Sequence, residues 1–97
     1  KNMGWCNDSN SNYYNRSVRI TRNTDYSYEK LHRIDHNYDF IIPISYNFNK
    51  PIKNKGSAIF LHLTKNYKPT AGCIALKKKD FFVMLNLINK HTKIKIF

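Results

Sequence analysis

The sequence predicts a mainly β domain with one C-terminal helix packed on it, and three stretches carry that expectation. Residues 57–63, SAIFLHL, alternate cleanly: Ile59, Leu61 and Leu63 fall on one face, Ala58, Phe60 and His62 on the other. Residues 38–47, YDFIIPISYN, are apolar and β-branched, as strands prefer. Residues 78–89 instead place Phe81, Met84, Leu85 and Ile88 at i, i+3, i+4 and i+7, one stripe of a helix. A chain of 97 residues allows one small domain with a limited core.

The remaining elements follow in order. Residues 1–16, KNMGWCNDSNSNYYNR, are rich in Asn and Ser and read as loop. In SVRIT, 17–21, Val18 and Ile20 alternate with Arg19 and Thr21, a short strand. Residues 25–33 suit a brief helix, with Asp25 as its N-cap and Tyr28 and Leu31 spaced by three. Pro43 has no N–H to give a ladder, which puts the 38–47 strand at an edge or a bulge. NKPIKNKG, 49–56, is a turn-rich connection, and a loop with Pro69 inside it covers 64–72. CIAL, 73–76, resumes as strand, with Cys73 and Ala75 on one face and Ile74 and Leu76 on the other. Asp80 in the first turn of the helix and Lys90 and His91 near its end suit the helix dipole. TKIKIF, 92–97, closes the chain as an alternating strand with Ile94 and Ile96 on one face.

The net charge of +11 and pI near 9.8 suggest a polyanionic partner such as nucleic acid, anionic lipid or an acidic wall polymer. Lys, Asn, Ile, Tyr and Phe all have codons rich in A and T, so compositional drift gives the same balance. The lysines are scattered apart from Lys77-Lys78-Lys79, which favours drift, and no nucleic-acid partner is expected. The longest apolar-rich stretch, 81–88, is interrupted by Asn86 and is too short to span a bilayer. The chain begins at Lys1, so any secretion signal is expected upstream of it.

Two cysteines, Cys6 and Cys73, allow one disulfide, but no CxxC pair supplies a structural zinc site. Of the four histidines, His32 and His36 have the i, i+4 spacing of a helical ligand pair; with no carboxylate or cysteine completing a set, they read as surface residues, and no metal or other cofactor is expected. His62 and Cys73 are different. If 57–63 and 73–76 pair as an antiparallel hairpin, position 62 or 63 comes opposite 73, and opposed Cβ atoms in such pairs lie about 4.5–5.5 Å apart. An imidazole that takes the thiol proton makes a nucleophile. Gly72 leaves the backbone N–H groups around Cys73 open to a substrate carbonyl as an oxyanion site. A buried packing cysteine fits the spacing as well.

GSAIFLHL followed by PTAGCIAL resembles the catalytic signature of the L,D-transpeptidase (YkuD, ErfK/YbiS-like) family: a strand His, a loop, then Ser/Thr-His-Gly-Cys and a short apolar strand. MGWC with Asp8, YNR at 14–16 and NYDF resemble a bacterial branch with the Thr-Ala-Gly-Cys form. The resemblance implies a mixed β-sheet or sandwich with the C-terminal helix packed on it. It also implies that 1–97 form the C-terminal part of the family's catalytic domain, without its N-terminal strands. Cys73 takes the nucleophile position and His62 the general-base position. Gly72 and Cys73 provide backbone support for the oxyanion, and Thr70, Phe60 and Ala71 are expected to contact substrate. The implied activity is transfer of a peptidoglycan stem peptide through a Cys73 thioester to an amine, outside the cytoplasm or in the periplasm. The alternatives are an L,D-carboxypeptidase and a non-catalytic basic module that binds peptidoglycan or nucleic acid. Three departures accompany the resemblance: Ala71 replaces the usual histidine before Gly-Cys, Ala75 replaces an Arg or Asn, and only eleven positions lead from His62 to Cys73. The first two remove groups that help to orient substrate or stabilise an oxyanion.

Overall fold

In the computed structural model, which describes residues 2–95, two small three-stranded sheets and a helix make three layers. The first sheet joins β1 (Met3–Cys6), β2 (Ser17–Arg19) and β3 (Tyr28–Lys30) in the order β2-β1-β3, both pairings antiparallel. The second joins β4 (Ile41–Pro43), β5 (Phe60–Leu63) and β6 (Ile74–Leu76) in that order, with β4 antiparallel and β6 parallel to β5. It is therefore a mixed sheet. Helix α1 (Lys78–Leu85) covers its far side. The protein is mainly β, as its sequence predicts.

β5 is central, and all four of its residues are buried. Phe60 points at the first sheet, where Trp5 meets its ring edge-on at 5.0 Å and Tyr38 does so at 5.6 Å. Leu61 and Leu63 point the other way, onto Phe81 of α1, with Ile42, Ile74, Leu76 and Met84 around them. The alternation read from SAIFLHL thus faces two cores rather than a core and solvent.

Several expectations are corrected. The N-terminal stretch read as loop contains β1, which no alternation of polar and apolar residues marks. Pairing on both sides makes it a strand, and a Cβ at Gly4 would come within 2.7 Å of Ile20 Cδ1 and 3.1 Å of the Glu29 carbonyl oxygen. The helix expected over 25–33 is absent, because Tyr28–Lys30 pairs with β1 and that ladder overrides a weak helical spacing. Pro43 does sit on an edge strand: among the described residues β4 pairs only with β5. The hairpin is replaced by a parallel pair, because residues 64–73 cross back to the start of β5 instead of reversing beside its end.

Helix α1 ends at Leu85, four residues early, and its last turn holds no basic residue, so Lys90 and His91 lie beyond it. Its buried stripe is narrower than expected. Phe81 is buried and Met84 and Ile88 are half-buried, but Leu85 is 37 % exposed. Residues 92–95 are not a strand, Ile94 is exposed, and Ile96 lies outside the described residues. No helix among the described residues is long and apolar enough to cross a membrane.

One buried side chain helps to tie the first sheet to the second. Asn15, 2 % exposed, accepts hydrogen bonds at Oδ1 from Trp5 Nε1 (2.8 Å) and the Ala58 N–H (3.0 Å). Its Nδ2 donates to the carbonyl oxygens of Tyr46 (3.0 Å) and Asn47 (2.6 Å). Asn15→Ala strips two buried and two partly buried groups of their partner, so we expect a loss of about 2–4 kcal/mol in urea-unfolding stability. Phe81→Ala is expected to cost about 3–5 kcal/mol, and Leu85→Ala under about 1 kcal/mol, in the same measurement.

Candidate active site

The register of β5 and β6 decides where the chemistry sits. Leu61 pairs with Ile74, His62 with Ala75 and Leu63 with Leu76. Cys73, one residue before the ladder, lies beside Phe60, whose N–H reaches its sulfur at 3.4 Å. His62 is therefore opposite Ala75, not opposite Cys73. The two still share a face, because Cys73 and Ala75 alternate together just as Phe60 and His62 do. Both side chains line one cavity of about 490 Å³, together with Thr70, Ala71, Gly72 and Ala75.

Cys73 is half-buried and Cys6 fully buried; both are free thiols, and no disulfide joins them. The Cys73 Sγ donates to the Ala58 carbonyl oxygen at 3.2 Å. Burial pushes its thiol above the ordinary value, while the Phe60 N–H, Arg33 and Tyr38 pull it down and the Glu29 carboxylate pushes it up. At rest the sulfur is a thiol. His62 is 7 % exposed, and its Nδ1 lies 2.7 Å from the Leu63 carbonyl oxygen. A carbonyl only accepts, so Nδ1 carries the proton and the neutral ring has its lone pair on Nε2. Tyr38 packs edge-on against that ring at 5.2 Å.

The turn before Cys73 is closed by Thr70. Its hydroxyl donates to the Cys73 carbonyl oxygen (2.6 Å) and accepts from the Gly72 N–H at a long 3.3 Å. Gly72 has φ of +149°, where a side chain is strained, although a Cβ there would meet only Ile59 Cδ1 at 3.4 Å. Backbone conformation, not crowding, requires this glycine. Ala58, which faces the sulfur, also has a left-handed φ of 55°.

Of the residues expected at the site, His62, Thr70, Ala71, Gly72 and Cys73 line the cavity. Phe60 does not. It is 0 % exposed in the core between Trp5 and Tyr38, so it supports the site from behind and cannot touch a substrate. His32 and His36 are exposed, with His36 Nδ1 paired to Asp39 at 3.0 Å. Lys77, Lys78 and Lys79 are exposed and do not line the cavity, whereas Lys68 does.

Glu29, Arg33 and Tyr38 also line it, and no motif in the sequence marks them as site residues. Glu29 is opposite Trp5 in the β1–β3 ladder, so it shares the inner face of the first sheet. There its Oε1 accepts the Tyr38 hydroxyl at 2.6 Å. Burial and that carboxylate push the Tyr38 phenol well above its ordinary value, so it keeps its proton. Arg33 lies 4.8 Å over the Tyr38 ring and makes a two-pronged pair with Asp35, with Nε to Oδ1 at 3.0 Å. A strand reading of 28–30 would have flagged Glu29 as the charge on an inward face.

Among the curated proteins and the solved structures nothing matches this chain. The family model of the L,D-transpeptidase catalytic domain, YkuD, matches residues 2–96. That span takes in both sheets, the helix and the whole cavity lining, and so the chain belongs to the L,D-transpeptidase catalytic domain family.

Proposed function

We propose that the protein is a cysteine acyltransferase that acts on peptidoglycan stem peptides, with Cys73 as nucleophile and His62 as general base. The family implies a peptidoglycan substrate. The observation that carries the reading is that the Cys73 thiol and the His62 ring project from one face of β5-β6 into a single cavity. His62 Nε2 takes the thiol proton, and the sulfur attacks the carbonyl of the third stem residue. The new S–C bond forms as the terminal D-amino acid leaves with the proton from His62. A side-chain amine of a second stem then attacks the thioester, loses its proton to His62 and regenerates the thiol as the cross-link forms. Water in place of the amine gives the L,D-carboxypeptidase outcome.

The tautomer supports this role, since the Leu63 carbonyl holds Nδ1–H and leaves Nε2 free to accept. Backbone N–H groups around Cys73 serve the oxyanion. The Gly72 N–H has only its 3.3 Å bond to Thr70 to give up when a better acceptor arrives. With Ala71 and Ala75 in place of larger polar residues, the substrate is oriented by groups from the first sheet and its connections. Arg33 and Lys68 are the cations placed at the cavity for a carboxylate. The family works typically outside the cytoplasm, and we place this protein there.

A carbapenem, as an activated acyl donor, is expected to add its mass to the intact protein. Cys73→Ala should abolish the adduct, and Cys6→Ala should leave it, because Cys6 is 0 % exposed. An adduct that persists in Cys73→Ala would move the chemistry elsewhere. His62→Gln should slow adduct formation by roughly 10²–10⁴-fold, the usual contribution of a positioned general base.

The raised Cys73 thiol sets a pH dependence for simple alkylation. At any pH below its own value the sulfur is less ionised than a free cysteine, and the thiolate is the reacting form. Alkylation by iodoacetamide should therefore keep rising with pH past the ordinary thiol value of 9.0 instead of levelling there. The second-order rate constant measured across pH checks this.

A further inference from the structure

The chain holds 17 Lys and Arg against 6 Asp and Glu, so its carboxylates have cations in excess to pair with. Among the described residues two carboxylates line the cavity, Glu29 and Asp35. Asp35 takes Arg33 in a two-pronged pair. Glu29 is half-buried, yet among the described residues it forms no ion pair. Its Oε1 accepts the Tyr38 hydroxyl at 2.6 Å, and its Oε2 accepts no hydrogen bond from any of them. The ring of the same tyrosine lies edge-on to His62 at 5.2 Å, so one side chain spaces this negative charge from the imidazole. The cations at the cavity do not reach it: Arg33 is held by Asp35 over the face of the Tyr38 ring, and Lys68 is exposed on the loop after β5. A partly desolvated carboxylate with one oxygen unmet is stabilised by a cation. Here the fold supplies none, and a ligand in the cavity can.

We propose that Glu29 is a specificity residue for the donor stem, its free oxygen binding the side-chain ammonium of the third residue while Cys73 attacks the carbonyl of that same residue. The inference rests on the acyltransferase reading and adds which donor the cavity selects. In that reading the acceptor is the side-chain amine of a second stem, so a donor of the same composition brings an amine into the cavity as well. The two amines need opposite treatment. An attacking amine has to be neutral, and a carboxylate beside it would hold it as ammonium. The donor's amine takes no part in the reaction and stays charged. Glu29 therefore suits the donor, and the acceptor approaches clear of it. The contact moves no proton and breaks no bond. A flexible stem of roughly four carbons, as in lysine, carries the ammonium away from the reacting backbone to the carboxylate. A neutral side chain in the same place leaves Glu29 desolvated with no partner. A site built around a polar contact rejects an analogue that lacks it in this way.

The full chain carrying Cys73→Ala binds a donor without consuming it. Tetrapeptide donors with lysine, norleucine or Nε-acetyl-lysine as third residue are titrated into it and followed by calorimetry. The lysine peptide should bind roughly tenfold more tightly than either neutral one. Glu29→Gln keeps an acceptor for the Tyr38 hydroxyl and removes the charge, so in that background the preference should vanish. Equal affinity for the lysine and neutral peptides before Glu29 is changed, or a preference that survives Glu29→Gln, overturns the proposal. With Cys73 intact, the same preference should appear in release of the terminal D-amino acid. A preference confined to the later attack by an amine would give the ammonium to the acceptor and overturn the donor assignment. Should Glu29→Gln fail to fold, a carbodiimide, which couples a carboxylate to an amine in contact with it, decides in the Cys73→Ala chain. A cross-link from the lysine peptide to Glu29 is expected; one to Asp35 alone, or to neither carboxylate, overturns the proposal. Failure of the enzyme assignment shows separately, as absence of the carbapenem adduct on Cys73 in the unmodified chain.

Discussion

The placement of the start of β5 and of the loop after β4 against β1 rests on the saturation of one buried amide. Asn15 uses both oxygen lone pairs and both amide hydrogens. An amide buried with any of these unmet would cost more than its neighbours return. The partners are an indole on β1, a backbone N–H just before β5 and two carbonyls after β4, so the bonds fix the first sheet relative to the second. The Asn15 backbone adds to the tie through its N–H to the Cys6 carbonyl, and its φ of 57° is one that asparagine tolerates. Asn47, also left-handed at φ 51°, organises the following loop through the Ile52 and Gly56 carbonyls. Two asparagines thus replace regular secondary structure where the chain has little of it.

That tie reaches the nucleophile through Ala58. Its N–H is held by Asn15 and its carbonyl oxygen accepts the Cys73 thiol. A left-handed φ at an alanine costs about 1–2 kcal/mol and persists only where surrounding bonds over-determine it. The strain therefore sits one residue from the chemistry, and the Asn15 contact sustains it. It turns the Ala58 carbonyl toward the sulfur, which keeps Cys73 a thiol in the absence of a base.

The site is accordingly built for a proton-transfer partner rather than for a preformed thiolate. Burial, a carbonyl acceptor and the Glu29 carboxylate all favour the protonated sulfur. One imidazole with a fixed tautomer lies along the same face. Small residues at 71 and 75 leave the cavity open beside both groups, and its polar lining includes Glu29, Arg33 and Tyr38, which lie far from the cysteine in the chain.

Local sequence sets β2, β4, β5 and β6, the helix around Phe81 and the glycine–cysteine turn, because each is governed by residues within a few positions of one another, but alternation is not sufficient, since TKIKIF alternates and 92–95 form no strand. Spacing alone left Cys73 open between a packing residue and a nucleophile, and the family resemblance was what made it a candidate site with His62. Tertiary structure decided the rest. β1 and β3 exist because each has a partner strand, and neither MGWC nor the span around Glu29 carries a periodicity strong enough to announce it. A free β5 edge accepts β6 in either direction, so a hairpin and a parallel pair look alike in the sequence, and only the path of 64–73 decides between them. Leu85 lies on the apolar stripe by spacing but stays 37 % exposed, while Phe81 and Met84 pack on the sheet. Glu29 and Tyr38 came into view last, since a carboxylate counts as part of a site only when the fold turns it inward and gives it something to hold.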